Sequence, residues 1–428
     1  MIWFYRLIFV PVLLAMLPSV LNRMRRRGGL RENFWQRFGL GRKLGKPPPG
    51  TRRVWLHAVS VGEMVAIAPV VERLTATAGI SVYLTTTTTT GYAVGRDRYG
   101  PSGIEIGYFP LDFWPCSVLA WKRIRPDVMV LTESELWPEH LRQARKRKVP
   151  VLLINARISD RSLARLRKIG WIVRPLVRGL TKISAASAID AARLAEVGFQ
   201  CGSIEAVGNL KLDVSVGPIL DDEARGRLRA ELGLPDGMIL IGSSTWPGEE
   251  AAMVRALKKA REAGLKCRLL VVPRHAERRE EILEELKREA LSVHLRTLGA
   301  ANAPVDICVA DTTGEMVRLL QLADLVFVGR SLAPNYGGQT PVEAAALGLP
   351  VLFGPFMTNF RSISDGLVTA GAARVVLDGD ALVSAVVALL LAPDLRLEMA
   401  RRGREWHAAN RGAVNRTVEA IRATLPQR

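Results

Sequence analysis

Glu63 stands in Ser60-Val61-Gly62-Glu63, a turn between an apolar run and a helical pattern. A carboxylate there can act as a general base if it comes within hydrogen-bond reach of a substrate hydroxyl. The same position complements a helix N-terminus, whose N–H groups lower its pKa, so proton abstraction requires burial to oppose them. Glu133 and Glu135, in LTESELWPEH, follow a second apolar run. Two residues apart on a loop, they point in different directions, and only one need face a ligand. Lys211, in GNLKLD, is a cation suited to a carboxylate or a leaving phosphate, or else an ordinary solvated charge. In the second half, Pro273 and Arg274 close a buried run in VVPRHAER; an arginine at a strand end suits bidentate phosphate contact, and an ion pair to a neighbouring helix is the alternative. Thr313, Gly314 and Glu315 open a helix in DTTGEMVRLL, in position to touch a base or ribose. In the stretch from Val326 to Pro355, Gly337 and Gly338 let a ligand approach the backbone, and a helix begins near Thr340 with Pro341 in its first turn. The free N–H groups of Thr340, Val342 and Glu343 favour an anion, and the Glu343 carboxylate suits sugar hydroxyls. No GxxxxGK[ST] loop occurs, which argues against nucleotide hydrolysis.

The elements that must position these residues alternate. Val54 to Val59, Ser81 to Thr86, Ile104 to Tyr108, Val128 to Thr132, Val149 to Ile154 and Lys182 to Ala185 read as short strands separated by helical periodicity. The pattern lapses in VGNLKLDVSVGP. It resumes with strands at Met238 to Gly242, Cys267 to Val272, Asp306 to Val309, Leu325 to Val328, Val351 to Phe353 and Ala373 to Val376. This predicts an α/β chain of two Rossmann-like parallel-sheet domains facing a cleft, residues 31–213 and 214–428, preceded by an anchor over residues 1–30. The last 45 residues are helical and long enough to cross back onto the first domain. The threonine run Thr85 to Thr90 reads as a strand ending in a helix N-cap, with hydroxyls available to line the acceptor side.

At 428 residues, 48% apolar and 24% charged, the chain has the composition of an ordinary folded protein with more than one core. Its net charge of +19 is concentrated: residues 1–50 hold ten Lys or Arg and one acid, Glu32. Ile2 to Leu21 is mostly apolar and is followed at once by Arg23, Arg25, Arg26 and Arg27. Basic residues beside an apolar helix suit an anionic membrane surface, and no RNA-binding signature accompanies them, so nucleic acid is not the expected partner. The helix is long enough to span a bilayer, while Arg6, Pro11 and Pro18 fit a half-inserted helix as well. The positive-inside rule keeps the remainder cytoplasmic. Arg31 to Phe38 adds a basic, aromatic patch, and Lys46 to Gly50 is a stiff linker. Cys116, Cys201, Cys267 and Cys308 are far apart, and with five His and no HExxH neither a disulfide framework nor a metal centre is indicated.

WLHAVSVGE (55–63), TESELWPE (132–139), NARISDRS (155–162), GNLKLD (208–213), VPRH (272–275), DTTGE (311–315) and GGQTPVEAAALGLPVLFGP (337–355) together resemble the Kdo transferases. These are membrane-associated GT-B glycosyltransferases that move 3-deoxy-D-manno-octulosonic acid (Kdo) from CMP-Kdo to a lipid A precursor at the cytoplasmic face of the inner membrane in lipopolysaccharide synthesis. The resemblance implies an inverting, metal-independent enzyme without a cofactor. It makes Glu63 the general base and assigns Glu133 and Lys211 to transition-state stabilisation. CMP falls to Pro273, Arg274, Thr313 to Glu315, and Thr340 to Glu343. CMP carries one phosphate and leaves readily, so a diphosphate-bridging metal is unnecessary. Departures lie in the donor half: Gly329-Arg330-Ser331 where the pattern is GGS, Gly338-Gln339-Thr340-Pro341 where it is GHNP, and Trp246 where it has His. The rivals are a GT-B transferase using another nucleotide sugar on a membrane lipid, and a non-catalytic sugar-nucleotide binding protein at the membrane.

Overall fold

The computed structural model describes residues 2–26, 33–176, 179–198, 204–214 and 216–426. Arg27, Arg31, Glu32 and Cys201, singled out in the sequence, lie outside them. The chain forms two compact units, Met1–Asp213 with Arg411–Arg428, and Val214–Asn410.

In the first unit the strands are β1 (Arg52–His57), β2 (Ile80–Thr86), β3 (Glu105–Tyr108), β4 (Val128–Thr132), β5 (Val151–Ala156), β6 (Lys182–Ala185) and β7 (Ile204–Ala206). They pair in parallel in the order β3-β2-β1-β4-β5-β6-β7. Because β4 joins the far side of β1, the strand order reverses between β1 and β4, which is where open α/β sheets leave a crevice at the carboxyl ends of their strands. The period of two sends Val54, Leu56, Val128 and Val130 to one core and Trp55, Met129 and Leu131 to the other, so both faces are buried, as a parallel sheet requires. The final helix, Ala413–Thr424, adds Ala413, Val414 and Ile421 to the first of these cores beside Val70 and Leu74. Asp213 holds the start of that helix by accepting the backbone N–H groups of Gly412 and Val414.

The second unit repeats the plan with β8 (Met238–Thr245), β9 (Cys267–Pro273), β10 (Val293–Leu295), β11 (Ile307–Val309), β12 (Leu325–Val328), β13 (Val351–Phe353) and β14 (Ala373–Val375). The order is β10-β11-β9-β8-β12-β13-β14, and the reversal falls between β8 and β12. Leu240, Val271, Phe327 and Leu352 are fully buried on one face against the helix Glu249–Glu262 and the helix Gly379–Leu390.

Two strands escape the sequence reading, β7 and β10. Both have three residues, sit at a sheet edge and contain no fully buried side chain, so neither the apolar run nor the alternation that signals a strand is present. β1 ends at His57 rather than Val59, because the Val59 carbonyl accepts the hydroxyls of Thr86 (2.9 Å), Thr87 (3.3 Å) and Thr88 (3.1 Å). The threonine run therefore fastens the β1 turn with the hydroxyls expected to line an acceptor surface, while Thr88 also caps the helix Thr89–Tyr99. The N-terminal helix, Ile2–Arg26, is long and apolar enough over Ile2–Ser19 to cross a membrane.

Candidate active site

In the first unit, Ser60 caps the short helix Val61–Ala66: its hydroxyl accepts the Glu63 N–H (3.3 Å) and donates to Glu63 Oε1 (3.0 Å). Ser60 is thus the N-cap, and its side chain and that of Glu63 bind each other across the first turn. Glu63 is held further than a cap needs. Its Oε2 accepts the Val59 N–H (3.0 Å) and the Thr132 hydroxyl (2.5 Å), which ties the helix start to the end of β4. An ionised carboxylate offers about two lone pairs on each oxygen. Oε2 is thus filled, and Oε1 keeps one place for a proton.

Glu133 follows Thr132 with φ 53°, a left-handed conformation unusual for a residue with a side chain. It leaves β4 with its N–H on the Ile154 carbonyl (2.9 Å) and its carboxylate near Lys211 Nζ (3.8 Å) and Arg157 (4.0 Å). Asn155, at the end of β5 and also at positive φ, accepts the Leu210 N–H (3.1 Å), and Asn209 accepts the Lys211 N–H (3.0 Å). Two buried amides thereby deliver Lys211 to Glu133. Burial, and then the charges of Glu63 and Glu133, push the Glu135 carboxyl up to about 7. Glu63, Glu133, Glu135 and Lys211 thus gather at the carboxyl ends of β1 and β4.

In the second unit the organiser is Glu249, 1% exposed, whose carboxylate accepts the N–H groups of Trp246 (2.9 Å), Arg330 (2.8 Å), Ser331 (2.9 Å) and Leu332 (3.1 Å). Burial raises its pKa against the pull of those four donors. One acid thus pins the loops after β8 and β12 together. Gly329 permits the approach, since a Cβ there would stand 2.5 Å from the Ser244 carbonyl oxygen and 2.7 Å from the Glu249 carboxylate. Two of the three departures noted in the sequence touch: the Arg330 guanidinium lies over the Trp246 ring at 4.7 Å, and His275 meets that ring edge-on at 5.3 Å. Arg330 is partly buried and has no acidic partner among the described residues.

Pro273 ends β9, and Arg274 beyond it is exposed, with its N–H on the Thr245 carbonyl (3.2 Å). Thr313 and Gly314 lie exposed in the loop before the helix Met316–Leu320. Glu315 receives the Thr312 hydroxyl (2.5 Å), Arg296 (3.4 Å) and Arg318 (3.7 Å). Burial raises its carboxyl, but these donors outweigh it and hold the pKa low. The helix expected near Thr340 begins at Val342, with Pro341 just outside it. Thr340 stands one residue before the N-cap, Pro341: its hydroxyl accepts the Val342 N–H (3.3 Å) and donates to Glu343 (2.9 Å). Burial pushes Glu343 up, against that hydroxyl and its own N–H. Gly337 and Gly338, at φ 119° and 73°, shape the turn before it.

The comparisons with known proteins bear on both units. A family model described as 3-deoxy-D-manno-octulosonic-acid transferase (kdotransferase) matches residues 32–214. The 3-deoxy-D-manno-octulosonic acid transferase of Bordetella pertussis is 34% identical over 94% of this chain and 94% of its own length. The chain belongs to that family. The Haemophilus influenzae transferase is 30% identical over 92% of each chain. The chain is a glycosyltransferase. Among solved structures, a glycosyltransferase from Rickettsia africae matches with TM-score 0.59 at 13% identity, over 88% of this chain and 100% of that one. The UDP-GlcNAc 2-epimerase from Neisseria meningitidis matches with TM-score 0.58 at 15% identity, over 87% and 99%. At such identities these two speak for the two-sheet fold alone.

Sequence reasoning missed Arg157, Glu249 and Arg330 as participants. Arg157 and Arg330 lie inside motifs read for other residues, and Glu249 is one of two adjacent acids in GSSTWPGEE whose burial no local pattern reveals.

Proposed function

We propose that the chain transfers Kdo from CMP-Kdo to a lipid A precursor at the cytoplasmic face of the inner membrane, with inversion and without a metal. The observation that carries this reading is the gathering of Glu63, Glu133 and Lys211 at one end of the first sheet, 3.8 Å separating Glu133 from Lys211, in a chain of this family. Glu63 takes the proton of the acceptor hydroxyl on Oε1. The acceptor oxygen forms a bond to the anomeric carbon of Kdo as the bond from that carbon to the phosphate oxygen breaks, and CMP leaves with the electron pair. Glu133 and Lys211 stabilise the charge that develops in between. In the second unit, Pro273, Arg274, Thr313 to Glu315 and Thr340 to Glu343 hold CMP, and Arg330 adds a cation that has no counter-ion among the described residues.

Turnover of CMP-Kdo with a tetraacylated lipid A precursor, products identified by mass, tests the reading. Glu63→Gln keeps most hydrogen bonds and loses the basic oxygen, so turnover falls by about 10²-fold or more while CMP binding persists. Near-parental turnover in a folded Glu63→Gln protein excludes Glu63 as base. Thermal protection by UDP in preference to CMP would favour a different nucleotide sugar.

A further inference from the structure

The N-terminal helix Ile2–Arg26 is bound to the first unit through its first turns. Arg6 Nε lies 2.5 Å from Glu139 Oε1 and Nη2 lies 3.2 Å from Oε2, a forked pair with the Glu139 side chain 0% exposed and that of Arg6 10% exposed. The Tyr5 hydroxyl donates to Asp112 (2.6 Å), whose carboxylate also accepts the N–H groups of Glu139 (3.1 Å) and His140 (3.0 Å). Phe9 stacks flat on Phe113, 5.7 Å between ring centres. Arg6 completes the contact over the rings of Trp3 (4.6 Å) and Trp114 (5.1 Å).

The other end returns to the same unit. Asn33 donates to the Tyr92 hydroxyl (2.6 Å), Gln36 accepts the Tyr108 N–H (2.8 Å), and Arg37 donates to the Thr87 carbonyl (2.7 Å). Between Arg26 and Asn33 even an extended chain reaches at most about 25 Å. A bilayer is roughly 30 Å thick in its hydrocarbon core and about 40–45 Å with its headgroups. Past the docked Phe9, the apolar residues Val10 to Leu21 rise only about 18 Å as a helix. The helix is therefore docked by its first turns, the chain after it must return within that reach to the same body, and the apolar part left over is too short to cross.

We propose that this helix lies in a single leaflet as an in-plane anchor latched by Arg6–Glu139 and Tyr5–Asp112, and does not span the bilayer. Its exposed Leu7, Val10, Leu14, Met16 and Leu17 enter the acyl region, and the arginines that follow the apolar run Ile2 to Leu21 meet anionic headgroups. Arg6, which is costly in a span, is here the residue that fixes the anchor to the enzyme. The inference rests on the membrane-surface reading above.

The test uses the full-length chain in sealed native membrane vesicles of known orientation, in a Cys201→Ser background, where the remaining cysteines Cys116, Cys267 and Cys308 are buried. Single cysteines are placed by Ile2→Cys, Asn22→Cys and Asp97→Cys, the last at a position 70% exposed on the first unit, and probed with a membrane-impermeant maleimide. The expected result is that Ile2→Cys and Asn22→Cys label in the same vesicle orientation as Asp97→Cys, without permeabilisation. Labelling of Ile2→Cys only after permeabilisation, or from the opposite face, means a spanning helix and overturns the inference while the membrane reading stands. Recovery of the protein in the supernatant, away from the vesicles, overturns the membrane reading and the inference with it.

Discussion

Ser60 with Glu63, Thr312 with Glu315 and Thr340 with Glu343 have the same local form, a hydroxyl that donates to a carboxylate three residues on. What separates them is the non-local partner. Glu63 is braced by Thr132 from β4, Glu315 is neutralised by Arg296 and Arg318, and Glu343 is partly buried without a cation among its described partners. Of the acids near Glu63, Glu135 has its carboxyl raised from an ordinary 4.5 to about 7. Between those values the folded chain binds more proton at this site than the unfolded chain, so folding stability is lost as pH rises through about 7. Glu135→Gln removes that loss, and thermal melts should show the variant gaining on the parent at pH 8 relative to pH 5. An equal difference at both pH values would mean that Glu135 is not perturbed. In the donor half, Arg274→Ala should weaken CMP binding by about 1.5–3 kcal/mol, the worth of a charge-assisted hydrogen bond. Arg330→Ala should weaken CMP more than cytidine if its guanidinium meets the phosphate, and calorimetry with both ligands decides it.

Two elements are held by buried carboxylates that join pieces distant in sequence. Glu249 fixes the loop after β12 by taking four N–H groups at once, and Glu249→Gln must present an NH2 group to at least one of those donors. The expected outcome is a drop in stability of about 1–3 kcal/mol, and faster hydrogen exchange at Arg330 to Leu332, read by mass spectrometry. At the N-terminal helix, Arg6→Met leaves the enclosed Glu139 without its cation, a change of the kind that costs about 3–5 kcal/mol. Adding Glu139→Gln should restore most of the loss, because the pair disappears together. A double variant no more stable than Arg6→Met would mean that packing of the aromatic rings, not the ion pair, holds the latch.

The whole molecule consists of two units whose cores are separately complete, except that the chain leaves the first unit at Asp213 and returns to it at Arg411. Deleting residues 411–428 strips Val414, Val418 and Ile421 from the first core, a loss on the order of 5 kcal/mol at about 1.5–3 kcal/mol for each buried aliphatic side chain. Limited proteolysis should then attack the first unit and spare the second. The sequence by itself determined the alternation of strands and helices, because burial on both faces of a parallel sheet writes itself as apolar runs of strand length at Val128 to Thr132 or Leu325 to Val328. It also located Glu63 and Arg274, which stand at a helix start and a strand end that local pattern alone marks, whereas Lys211 lies where that pattern lapses. It did not contain β7 and β10, whose pairing belongs to the sheet edge they join, nor the raised pKa of Glu135, which comes from burial and from carboxylates beyond the ends of two different strands. Nor did it reveal what Arg6 is for. From Ile2 to Leu21 the residues read equally as a span and as a surface helix; the choice depends on Glu139 and Asp112, more than a hundred positions away, and only folding brings a buried anion to that arginine.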